Sequence, residues 1–164
     1  MSVHDVAAAT LAQWLTEHEQ RLAVAESCTG GLLAGALTNL PGCSMWFEAG
    51  LVTYRLSAKT NLLGVPAELL ARRGAVNEDV ARLMAEGVIT RTGADFSIAT
   101  TGLAGPEGDG TDVAVGTLWI AWASRSPAWV ESQCFELHEP RTSFREDAVE
   151  LAITGLLQRI ERPF

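Results

Sequence analysis

Apolar positions recur along this chain in two rhythms, one of helical spacing and one of short continuous runs, and the two alternate. From Ser2 to Gln20, Ala7, Leu11, Trp14 and Leu15 repeat at helical intervals, and Ser2 with Asp5 resembles a capping box, which predicts a first helix. The short run "RLAVAES" predicts a buried strand. After Gly30-Gly31, "LLAGALTNL" returns to helical spacing until Pro41-Gly42 stops it, and "MWFEAGLVTY" has the aromatic and β-branched content of a second strand. Ser57 then reads as the cap of a short helix through "AKTNLL", ended by Gly64-Val65-Pro66.

Asn77 followed by Glu78 and Asp79 predicts a helix through "NEDVARLMAEGVITRTG" that ends near Gly93. "DFSIATTG" follows as a strand, then a glycine-rich loop to about Asp112, then the strands "VGTLWIAWA" and "AWVESQCFELH". Ser143 and Glu146 have capping-box spacing before a last helix whose stripe is Val149, Ala152, Ile153, Leu156 and Ile160. Early helix–strand alternation and a late strand pair predict a mixed sheet covered by helices.

With 164 residues, 48% of them hydrophobic, and no linker-like stretch, one ordered domain spanning 1–164 is expected. Twelve basic against twenty acidic residues leave a net charge of −8, which repels phosphate backbones and argues against general nucleic-acid binding. The amino terminus lacks the pattern of a signal peptide and no apolar run is long enough to span a bilayer, so the expectation is a cytoplasmic protein with no membrane partner. Cys28, Cys43 and Cys134 are odd in number and lack paired-ligand spacing, which favours reduced thiols over disulfides or a zinc site.

Three places break local rules. At "ESCTGG", Ser27 would stand at a strand end, where Thr29, Gly30 and Gly31 let backbone approach a ligand; equally, Ser27 or Thr29 could simply cap the next helix. Lys59, placed in the first turn of the helix that Ser57 would cap, is where the macrodipole disfavours a cation and lowers the amine's pKa. A lysine so placed can serve as base toward a serine, or can be an ordinary exposed lysine. Tyr54, the only tyrosine, ends the preceding strand. Arg141 and Arg145, at the start of the last helix, point to a bound anion unless Glu146, Asp147 or another carboxylate pairs with them. The loop "TTGLAGPEGDG" has neither a Walker lysine nor Rossmann spacing, yet it follows a buried strand directly.

Together, "AESCTGG", "GLVTYRLSAKTNLLGV", "GAVNEDVARLMAEG", "ADFSIATTGLAGPEG", "VGTLWIAW" and "RTSFREDAVELAI" resemble the CinA carboxy-terminal domain family, in family order over nearly the whole chain. The resemblance implies a three-layer α/β/α sandwich with a mixed, mostly parallel five-stranded sheet, usually dimeric. It also implies hydrolysis of nicotinamide mononucleotide to nicotinic acid mononucleotide and ammonia. Carried over by position, the motif serine is Ser27, and the tyrosine and lysine of the Tyr-x-x-x-x-Lys segment are Tyr54 and Lys59. The glycine-loop positions are Thr101, Gly102, Gly105 and Pro106, and Arg141 and Arg145 match the arginine pair. Where the family usually has Ser-Asn after the tyrosine this chain has Arg55-Leu56, and where it has Gly-rich sequence followed by Lys-Pro before "VGT" this chain has Asp109-Gly110-Thr111-Asp112-Val113-Ala114.

The expected scheme needs no metal and no cofactor. Lys59 takes the proton of Ser27, which attacks the carboxamide while Tyr54 hydrogen-bonds within the pair. Amides near Thr29 to Gly31 hold the oxyanion, and the phosphate sits near Arg141, Arg145 and the Thr101–Gly105 loop, with Arg55 supplying charge nearby. Alternatives are a Cys28 nucleophile, a histidine-based triad, and a nucleotide-binding module without catalysis.

Overall fold

Large and small apolar residues alternate along the strands, and this decides which helices lie on which face. The computed structural model describes residues 3–162. Strands β1 (Leu22–Glu26), β2 (Phe47–Val52), β3 (Phe96–Gly102), β4 (Thr117–Arg125) and β5 (Ala128–Glu136) form one sheet in the order β2-β1-β3-β4-β5. The pairings β1–β2 and β1–β3 are parallel, while β3–β4 and β4–β5 are antiparallel, so only β4 opposes the common direction. Six α-helices, with one short 3-10 helix at Cys43–Met45, complete the described residues: α1 (Val3–Glu17), α2 (Leu32–Thr38), α3 (Leu56–Leu63), α4 (Ala67–Arg73), α5 (Glu78–Thr92) and α6 (Arg141–Ile160).

Leu22, Val24, Ile98, Leu118, Ile120 and Trp122 point to one face, where they meet Leu11 and Leu15 of α1, Leu33 and Leu37 of α2 and Ile153 and Leu156 of α6. Ala23, Ala25, Ala99, Ala121 and Ala123 point to the other, where α5 packs through Val80, Met84 and Val88. The result is a three-layer α/β/α sandwich. Because α2 and the α3–α5 group leave the sheet on opposite faces, β1 is the point where the winding reverses, and a crevice opens beyond its carboxyl end. In register, Glu26 lies beside Val52 of β2 and Thr100 of β3, which brings three strand ends to one place.

Asn77 caps α5 as the sequence predicts, its side-chain oxygen accepting from Val80 N at 3.0 Å, and Gly93 closes that helix. Three expectations change. Ser57 does not cap α3, since Lys59 N donates to Arg55 O and makes Arg55 the capping residue. Ser143 likewise lies inside α6, whose first intrahelical bond, Phe144 N to Pro140 O, makes Pro140 the cap. In both helices the chain arrives extended one or more residues earlier than the hydroxyl. Finally, α4 carries no strong periodic signal in seven residues and is not anticipated from the sequence; buried Leu70 anchors it in the core, with half-buried Leu69 packed beside it. The expected Ser2 cap lies outside the described residues.

Candidate active site

Both neighbours of β1 hold its end in place. Ser27 N donates to Thr100 O at 3.1 Å on one side, and Thr53 N donates to Glu26 O at 2.8 Å on the other. The chain then turns, closed by Gly30 N donating to Ser27 O at 3.0 Å. Glu26 is fully buried, and its carboxylate accepts from Leu33 N at 2.9 Å, Ala34 N at 3.0 Å and Gly31 N at 3.2 Å. It is therefore the cap of α2, reached from seven and eight residues away, where a negative charge complements the helix amino terminus. Sequence reasoning missed Glu26 as a working residue, although a carboxylate ending an apolar strand just before a helix is a signal for this role.

Lys59 is the chain's one lysine and is fully buried. Its Nζ contacts Thr53 O at 2.6 Å, Ser27 Oγ at 3.0 Å and Tyr54 O at 3.1 Å. Loss of hydration on burial lowers its pKa from 10.5 to about 8. The direction agrees with the sequence-based expectation, but the cause differs: Lys59 stands fourth in α3 with its own N–H bonded, so burial and not the helix terminus acts on the amine. Two partners are carbonyls, which only accept. A neutral amine bound this way donates to both carbonyls and turns its lone pair to the Ser27 hydroxyl.

A cleft of about 900 Å³ opens beside this pair. Of the expected site residues, Ser27, Tyr54, Arg55, Thr101, Gly102, Gly105 and Arg141 line it. Thr101 Oγ1 donates to Ala75 O at 2.8 Å, tying β3 to the turn between α4 and α5. At Gly102 an added Cβ would lie 2.9 Å from Thr117 O, so the strand ends without room for a side chain. Arg141 donates to Gly105 O at 2.8 Å and to Tyr54 Oη at 2.9 Å, joining the glycine loop to the tyrosine. The Tyr54 hydroxyl thus bonds Arg141, and it is the Tyr54 carbonyl that reaches Lys59. Arg72 of α4, not foreseen from the sequence, also lines the cleft; neither its guanidinium nor that of Arg55 has a hydrogen bond or ion pair among the described residues.

Thr29, Gly30, Gly31 and Arg145 stay out of the cleft wall. Thr29 is buried with its hydroxyl 2.8 Å from that of Thr100, and the Gly30 and Gly31 amides are already donated to Ser27 O and Glu26. Arg145 donates to Cys28 O at 3.0 Å and Thr29 O at 3.1 Å. Neither Arg141 nor Arg145 pairs with a carboxylate among the described residues. Cys28 is buried beside Ser27, and the loss of hydration pushes its thiol from 9.0 up to about 12, which opposes a thiolate nucleophile. His18 is held by Trp14 on α1, and His138 is exposed; neither lines the cleft.

Comparison with known proteins agrees with this architecture. The sequence profile described as "CinA C-terminal domain" matches residues 4–160. A nicotinamide-nucleotide amidohydrolase PncC of Pseudomonas putida is 44% identical over 153 residues, covering 91% of this chain and 94% of that protein. A CinA-like protein of Akkermansia muciniphila is 46% identical over 87% of this chain, which spans only 34% of that longer relative. Among solved structures, a competence or damage-inducible protein from Enterobacter asburiae superposes with a TM-score of 0.93 at 34% identity, covering 98% of this chain and 100% of that one. A CinA superfamily protein from Escherichia coli gives 0.91 at 36% identity, covering 97% and 93%. The fold and site define an α/β protein whose crevice lies at the carboxyl end of the central parallel strand. The chain belongs to the CinA C-terminal domain family.

Proposed function

We propose that this protein hydrolyses the carboxamide of nicotinamide mononucleotide to nicotinic acid mononucleotide and ammonia, with Ser27 as nucleophile and Lys59 as its base. The contact of 3.0 Å between Lys59 Nζ and Ser27 Oγ, with both other amine partners being carbonyls, carries the reading. The similarity to the Pseudomonas putida nicotinamide-nucleotide amidohydrolase supports this choice of substrate.

With a pKa of about 8, half of the Lys59 side chains are neutral at pH 8 and roughly one in ten at pH 7. The neutral amine takes the hydroxyl proton as Ser27 Oγ bonds to the carboxamide carbon. The oxyanion is held at the turn after Ser27, where the Thr29 amide has no acceptor among the described residues. Lys59 then returns the proton to the departing nitrogen, ammonia leaves, and water activated by the same amine cleaves the Ser27 ester. At the far end, Arg141 keeps three of its five N–H groups free for phosphate, with Arg55 and Arg72 adding charge. Tyr54 is kept in the scheme with its hydroxyl on Arg141 and its carbonyl on Lys59. A homodimer is part of the same proposal, and its mass in solution by light scattering tests it.

The decisive experiment is ammonia release from nicotinamide mononucleotide, repeated with hydroxylamine present. An acyl-enzyme gives a hydroxamate of the mononucleotide in the parent and none in Ser27→Ala. Binding without ammonia release would instead make the chain a nucleotide-binding module.

A further inference from the structure

Arg145 lies in the second turn of α6, half-buried, with its guanidinium against the turn after Ser27 instead of in the cleft. Its Nε bonds Cys28 O at 3.0 Å and its Nη2 bonds Thr29 O at 3.1 Å. The turn is fitted to this side chain: Gly30 has φ +55°, and a Cβ there would lie 3.1 Å from Arg145 Nη2.

A guanidinium that holds two successive carbonyls fixes two successive peptide planes. In a trans peptide the N–H points opposite to the carbonyl of the same unit. Anchoring Thr29 O therefore turns Gly30 N–H away from α6, and it is found on Ser27 O at 3.0 Å. Anchoring Cys28 O turns Thr29 N–H the same way, and that amide has no acceptor among the described residues. In a four-residue turn opened by Ser27, the amide two residues on is the one that a side-chain oxygen at the first position can reach. That turn geometry would bring Thr29 N–H to the side of Ser27 Oγ.

We propose that Arg145 is a positioning residue that sets Thr29 N–H as the oxyanion donor beside Ser27 Oγ, and that it does not hold the substrate's phosphate. This rests on the amidase reading for its role in turnover. The geometry itself is tested by a reaction that needs no nucleotide: a fluorophosphonate probe, in which the Ser27 Oγ–P bond forms, the P–F bond breaks, fluoride leaves and the serine proton passes to Lys59.

Arg145→Ala should be labelled about 100-fold more slowly than the parent, since a misplaced donor costs that order of rate, and added guanidinium should restore part of the loss. Its affinity for nicotinamide mononucleotide and for nicotinamide riboside, by calorimetry, should stay within about twofold of the parent, because only substrate-contacting groups carry uniform binding. Arg145→Lys keeps the cation without the two-pronged fork and should show the same slow labelling; it carries the comparison where the alanine variant fails to fold. Unchanged labelling in these variants, or weakened binding of the nucleotide alone, would overturn the proposal, as would a parent whose Ser27 takes no label. A parent that is labelled yet releases no ammonia removes the amidase reading and leaves the Arg145 comparison intact.

Discussion

Lys59 Nζ stands 3.0 Å from Ser27 Oγ in a buried contact, and the amine's other two partners, Thr53 O and Tyr54 O, are acceptors that hold it in place whether or not Ser27 is present. Removing the hydroxyl should therefore leave the fold untouched while removing the chemistry. Ser27→Ala is expected to melt within about 2 °C of the parent. Ammonia release should fall by about 10⁶-fold, the order lost when a serine hydrolase is stripped of its nucleophile. Calorimetry and an ammonia assay check both halves, and retained turnover would remove Ser27 from the mechanism.

Because burial holds the Lys59 amine near pKa 8, turnover should rise with pH and level off above about 8, following the neutral form. Stability should show the same group from the other side. The unfolded chain binds this proton up to about 10.5, the folded chain only to about 8, so the unfolded state holds more protons between those values. Stability contributed by this group thus rises with pH across that window and gains nothing from it below pH 8. Since Lys59 is the only lysine, a lysine-labelled sample gives one side-chain resonance, and its titration midpoint reads the folded pKa directly.

Cys28 sits next to Ser27 in sequence, yet burial raises its thiol to about 12, and it should behave as packing. Cys28→Ala is expected to keep turnover within about threefold and to cost about 1 kcal/mol of stability for the small cavity left. Iodoacetamide should modify exposed Cys134 first, with activity retained. Loss of activity on selective modification of Cys28 would reinstate the thiol as nucleophile.

A mixed sheet covered by helices was legible in the sequence from apolar runs alternating with helical spacing, whereas the three layers followed only from the family resemblance; the alternation of large residues with alanines in β1 and β4 that sorts the helices onto two faces emerges in the structure. Asn77 and Gly93 marked the ends of α5 for local reasons that tertiary structure did not override. What stayed hidden depends on distance in sequence. Ser57 and Ser143 look like caps because hydroxyls usually are, but the backbone enters both helices earlier, so neither is used. Arg145 reads as an anion ligand at a helix start, whereas the fold brings it to the carbonyls of Cys28 and Thr29, some 117 and 116 residues away. The partner of Tyr54 Oη, 87 residues on, is equally invisible to local rules.

Glu26 gives the sharpest test of that hidden organisation. Its carboxylate satisfies the amides of Gly31, Leu33 and Ala34 from inside the core, and no solvent can replace it there. Glu26→Ala leaves these donors unpaired at a buried helix terminus and should cost about 3 kcal/mol. For a chain of this size that corresponds to a melting temperature lower by about 6–12 °C. Glu26→Gln keeps one acceptor oxygen but turns an N–H₂ toward other amide donors, and should recover only part of the loss. Since Ser27 follows Glu26 directly, both variants should also lose turnover in proportion to the displacement of the strand end, with nucleotide affinity less affected than rate. A Glu26→Ala protein that melts with the parent would mean that water or a neighbouring group caps α2, and the bond pattern at the end of β1 would have to be redrawn.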